Sequence, residues 1–155
     1  MQKDFPESLI KGKIAELIFD LMFRASGKYT VIPFGFESTM PSLQQAAKKS
    51  YDDELFETIR NAPDFALVSH AAEAIHLVEV KYRSRPDLED YRKTAKRIFE
   101  QWKLAWIFYA TPEGFYFDKC NDLMDENSML TPLSSDLVSA ELQDKYHAIL
   151  KKYLG

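Results

Sequence analysis

Two short runs, PDFALVS from Pro63 and AIHLVEVKY from Ala74, are separated only by His70 to Glu73, and this pairing constrains the fold more than any other feature. Both are rich in β-branched and aliphatic residues, and a connection this short joins antiparallel strands but cannot hold the crossover that parallel neighbours need. A hairpin is therefore predicted. If its turn is centred between Ala71 and Ala72, Asp64 faces Glu79, Ala66 faces Leu77 and Val68 faces Ile75 on one side of the sheet. Phe65 with Val78 and Leu67 with His76 take the other side, and the side-chain period of two adds Lys81 to the face that holds Glu79.

The rest of the chain alternates helices and strands around this hairpin. Pro6 to Gly27 reads as a helix with an apolar stripe of Ile10, Ile14, Leu17, Ile18 and Leu21, opened by proline and closed by glycine. Tyr29 to Phe34 reads as a strand, Pro41 to Asn61 as a helical insert, and Pro86 to Lys103 as an amphipathic helix. LAWIFYA from Leu104 and GFYF from Gly114, joined by TPEG, read as a second antiparallel pair, Cys120 to Ser135 has no clear period, and Asp136 to Leu154 is a C-terminal helical extension. The expected architecture is α/β, a mixed sheet flanked by helices, in a single domain of 155 residues.

Composition excludes several classes. Hydrophobic residues make up 46% and charged residues 28%, which disfavours disorder and fibrous folds. No apolar run approaches the roughly 20 residues of a membrane-spanning helix, the N-terminus lacks a signal-peptide pattern, and one cysteine excludes an intramolecular disulfide. A cytoplasmic setting without membrane association is the expectation. The strings for a P-loop, a GxGxxG turn or a GxSxG elbow are absent. His70 and His76, six residues apart across a turn, have no accompanying third His or Cys ligand and read as surface or core histidines, His147 on the last helix reads as solvent-facing, and Cys120 reads as a structural thiol. Trp102, Trp106, Phe108 and Tyr109 read as core aromatics.

Charge is uneven. The net charge is -4, yet Val80 to Lys103 has eight bases against four acids, a local +4. Glu113 to Asp144 has eight acids against Lys119 alone, a local -7. The basic stretch is either a solvated helix face or a phosphate-facing patch.

Asp64 opposite Glu79 is the arrangement that implies chemistry. Opposed like charges on paired strands cost up to about 1 kcal/mol, and more where buried, so a partner is required. A hard divalent cation accepts carboxylate oxygens and completes its shell with water and phosphate. Lys81 beside it would orient or deprotonate an attacking water or stabilise charge on the phosphate. A salt bridge from Glu79 to Lys81 or Arg83 is the purely structural alternative.

Pro63 and Asp64 opening one strand, with Glu79, Val80 and Lys81 on the next, resemble the signature of the PD-(D/E)XK nuclease superfamily, the restriction endonuclease-like fold. An acidic residue on the first core helix commonly completes that site, and Glu16 in GKIAELIF matches it in order and context. The resemblance spans roughly Pro6 to Tyr109. It implies an αβββαβ core and a nuclease dependent on Mg²⁺ or Mn²⁺, with Asp64, Glu79 and Glu16 as metal ligands and Lys81 positioning the nucleophile. Nucleic acid, with DNA the expected substrate, would meet Arg83, Arg85, Arg92, Lys93 and Lys96, and a homodimer would suit cutting of both strands. The superfamily often carries a Gln or Tyr on the helix after the third strand; Tyr91 and Gln101 are candidates without diagnostic spacing. Gly12, one turn before Glu16, weakens its helix by about 1 kcal/mol relative to alanine and would admit a close neighbour. Two rival readings are a nuclease-like domain that binds without cutting, and an unrelated α/β domain whose acidic C-terminal third binds a protein.

Overall fold

A computed structural model describes residues 4–35, 54, 58, 61–85 and 87–155. The chain is an α/β protein. Its first helix, α1 (Asp4–Ala25), stops where Gly27 takes a φ of 73° and donates its amide to the Arg24 carbonyl. Strands β1 (Tyr29–Pro33), β2 (Phe65–Ser69) and β3 (Ile75–Tyr82) follow, then α2 (Leu88–Phe99), β4 (Trp106–Thr111), β5 (Gly114–Lys119), a 3₁₀ turn at Cys120–Met124, and α3 (Ala140–Leu154). The helix expected over 41–61 lies outside the described residues apart from Glu54 and Thr58, both helical, and Asn61. Among the described residues no helix is long and apolar enough to cross a membrane.

The five strands form one mixed sheet in the order β1-β2-β3-β4-β5, antiparallel throughout except for the parallel pair β3 and β4. The β2–β3 hairpin has the expected register, with Ala66 opposite Leu77 and Val68 opposite Ile75. Its turn places Glu73 at a φ of 50° and closes with the Ser69 amide on the Ala74 carbonyl at 2.8 Å. The parallel pair needs a crossover, and α2 supplies it. Asp87 caps that helix by accepting from the amides of Glu89 and Asp90, so the helix begins at Leu88 and ends at Phe99, inside the expected span.

Side-chain alternation divides the core into two layers. Val78 and Val80 of β3 pack with Phe108, Phe117 and the α1 residues Ala15, Ile18, Phe19, Met22 and Phe23, and Leu150 of α3 closes this layer. Ile107 and Tyr109 face the opposite way, toward Tyr91, Ala95 and Ile98 of α2. The α1 stripe expected from apolar spacing is thus corrected: Ile10, Leu17 and Leu21 are 60%, 56% and 43% exposed, whereas Phe19 and Phe23 are fully buried. The rings explain the choice. Phe19 lies 4.6 Å from Phe23, 5.2 Å from Phe65 and 5.1 Å from Phe108 between centroids, and such pairs add to the large area that aromatics bury.

Smaller differences have local causes. The C-terminal helix starts at Ala140 rather than Asp136, because Ser139 is its cap and accepts from the Leu142 amide. His147 is half-buried, not solvent-facing, with Nε2 3.0 Å from the Thr111 carbonyl. Phe108 and Tyr109 are core residues, while Trp102 and Trp106 are half-buried. Cys120 is buried, and the loss of solvent pushes its thiol up to about 12, which fits a packing role.

Candidate active site

Asp64 sits one residue before β2, where the strand has not yet begun to pair. Two main-chain amides, Phe34 at 2.9 Å and Gly35 at 3.1 Å, donate to its carbonyl as β1 ends. Its side chain reaches across to β3, where the Val80 amide donates to Oδ2 at 2.8 Å. In an antiparallel ladder the N–H and C=O of one residue point to the same edge. The Val80 carbonyl therefore shares the edge at which its amide meets Asp64.

Three carboxyls meet at this point. Glu79 points from the α2 side of β3, following the same alternation as Ile107 and Tyr109 of the adjoining strand, and Glu16 comes from α1 on the other layer. Asp64 lies between the two, close enough to Glu79 and to Glu16 for their charges to act on one another. Burial, together with the neighbouring Glu79 charge, pushes Asp64 up to about 7. Burial and then the Asp64 carboxylate push Glu16 up to about 7 against the opposing pull of Lys13, whose Nζ is 3.3 Å from Oε2. The chain runs from Glu16 through Asp64 to Glu79, and Lys81 Nζ stands 3.7 Å from Glu79 Oε1.

The four expected residues Glu16, Asp64, Glu79 and Lys81 thus line a single cleft of about 1000 Å³. Among the described residues no three His, Cys, Asp or Glu side chains already stand as ligands about a common point. The donor set nevertheless fits a hard cation, because deprotonation at neutral pH and above leaves clustered carboxylate oxygens whose repulsion a divalent ion would relieve.

The five basic candidates separate. Arg83 borders the cleft, but its guanidinium is held by Asp90 Oδ2 and by the Tyr82 carbonyl. Arg92 points away to the carbonyls of Glu126 and Ser128, tying α2 to the segment after the 3₁₀ turn. Arg85, Lys93 and Lys96 are exposed and outside the cleft lining. Lys11 and Lys13 of α1 and Arg97 of α2 do line it, and sequence spacing did not single them out. Of the two helix candidates, Tyr91 is buried, stacked on Tyr109 with centroids 4.0 Å apart, and Gln101 is exposed beyond the helix end.

No protein-family model matches the chain, and no curated protein matches it.

Proposed function

We propose that the protein is a metal-dependent nuclease of the PD-(D/E)XK type, hydrolysing phosphodiester bonds in nucleic acid, with DNA the favoured substrate. The observation that carries this reading is the meeting of Glu16, Asp64 and Glu79 at one end of the cleft, with Lys81 beside Glu79. The order of helix, three strands, helix and strand, with β3 and β4 parallel, supports the same family.

Glu16, Asp64 and Glu79 would hold Mg²⁺ or Mn²⁺, which would neutralise charge on the scissile phosphate and polarise it. Asp64 is fixed for this task from both its carbonyl and its carboxylate, so its oxygens are positioned before substrate arrives. Lys81 would orient the attacking water and stabilise charge gathering on the phosphate oxygens, drawing its own position from Glu79. The water oxygen would bond to phosphorus as the bond to the leaving sugar oxygen breaks, the water's proton passing to solvent and the leaving oxygen taking up a proton from solvent.

Incubation with supercoiled, linear and branched DNA and with RNA, with and without Mn²⁺, tests the reading. Cleavage is expected only with the metal and is expected to disappear in Lys81→Ala. Metal-independent cutting, or full activity in the variant, would eliminate the mechanism. Glu16 and Asp64, both pushed up to about 7, also shed their charge by taking up protons without an ion, which favours a binding module that does not cut as the second reading; absence of any thermal shift with Mg²⁺ or Mn²⁺ would select it.

A further inference from the structure

Gly12 borders the cleft one helical turn before Glu16, and a Cβ on it would meet nothing within 4 Å among the described residues. It is neither at a turn nor at positive φ, since the helix continues for thirteen residues to Ala25 and the positive-φ glycines are Gly27 and Gly114. Glycine in a helix interior is less favourable than alanine, so the fold gains nothing from the missing side chain. Arg97, carried by the helix on the opposite face of the sheet, lines the same cleft. It is exposed and makes no ion pair among the described residues, in contrast to Arg83, whose guanidinium is held by Asp90.

We propose that one phosphodiester strand crosses the cleft against the bare surface of α1 at Gly12 and is held on the far side by the Arg97 guanidinium, making these two residues substrate-binding determinants. The proposal rests on the nuclease reading and extends it to the path of the strand. An arginine offers a planar, bidentate match to phosphate, and helix backbone without a side chain lets a sugar-phosphate chain approach closely.

Steady-state cleavage of a short fluorescently labelled DNA duplex, and of the same sequence as single-stranded DNA and as RNA, tests it with Mn²⁺ present. Gly12→Ala is expected to raise Tm while raising KM several-fold, and Gly12→Leu to raise KM further. Arg97→Ala is expected to raise KM about tenfold and to lower the slope of log binding against log salt by about one phosphate contact, with Arg97→Lys recovering part of the loss. A drop in Tm for Gly12→Ala would assign the glycine to packing and overturn the proposal. Unchanged KM in a wild-type-active background would overturn it as well and leave the nuclease reading standing. A wild-type protein that neither binds nor cuts any of the three substrates would remove the nuclease reading and this proposal together.

Discussion

The Val80 amide donates to Asp64 Oδ2 at 2.8 Å, although Asp64 precedes the first paired residue of β2. The side chain stands in for a strand that has not yet begun, so one carboxyl both completes the sheet edge and serves the proposed metal site. These roles separate by substitution. Asp64→Asn keeps an acceptor for Val80 and removes a carboxyl that burial and Glu79 disfavour as an anion. It is expected to match or exceed wild-type stability at pH 7 and to lose Mn²⁺-dependent cleavage by at least about 100-fold. Asp64→Ala orphans the amide and is expected to lose about 1 to 2 kcal/mol as well. Urea unfolding beside a cleavage assay reads both quantities, and substantial cleavage by the Asn variant would remove Asp64 from the metal site.

The same carboxyls set a pH dependence with a definite sign. Folded Glu16 and Asp64 are pushed up to about 7 from ordinary values of 4.5 and 3.8, so between those limits the folded chain binds more protons than the unfolded one. Their contribution to stability is full below about pH 4 and is lost as pH rises through about 7. The stability difference between wild type and Asp64→Asn, measured in EDTA by thermal unfolding, is expected to move against wild type over that range. Mg²⁺ must displace these protons, so its apparent affinity is expected to rise from pH 6 to 8 with proton release, measurable by calorimetry in two buffers of different ionisation enthalpy. An affinity independent of pH would show that neither carboxyl binds the ion.

The hairpin was legible because a strand has only two faces: once the turn lay at Ala71 and Ala72, the register of Ala66 with Leu77 followed, and Asp64 was carried toward Glu79. Helix α1 offered no comparable constraint. It carries Leu9, Ile10, Ile14, Leu17, Ile18, Phe19, Leu21, Met22 and Phe23, apolar on most of its circumference, so periodicity alone did not choose the buried face. Glu16 was placed from order along the chain and from family resemblance. The Val80 amide, the closeness of Gly35 and the reach of Arg92 to the carbonyls of Glu126 and Ser128 involve backbone groups, which leave no trace in side-chain patterning.

That helix face provides its own test. Phe19 is fully buried among Phe23, Phe65 and Phe108, whereas Leu17 is 56% exposed at the cleft. Phe19→Ala is expected to cost about 3 to 5 kcal/mol in chemical unfolding. Leu17→Ala, which removes a larger share of the stripe expected from spacing, is expected to change stability by no more than about 0.5 kcal/mol. Comparable losses in the two variants would mean that α1 is rotated from the orientation described.

Gly35 holds Asp64 by proximity. A Cβ on Gly35 would fall 3.3 Å from the Asp64 Cα, tighter than ordinary contact, and 3.5 Å from the Pro63 carbonyl oxygen, while the Gly35 amide donates to the Asp64 carbonyl. Both neighbours are backbone, so a methyl group at Gly35 can be accommodated only by shifting the start of β2 by a few tenths of an ångström. The bond from Val80 to Asp64 resists that shift at the side chain, and the compromise would turn the carboxyl away from Glu16 and Glu79. Displacements of about 1 Å at a reacting centre cost on the order of 100-fold in rate. Gly35→Ala is therefore expected to lower kcat by about tenfold or more and weaken Mn²⁺ binding, with Tm falling only slightly. Rates and metal affinity equal to wild type would show that Asp64 is held by Val80 alone.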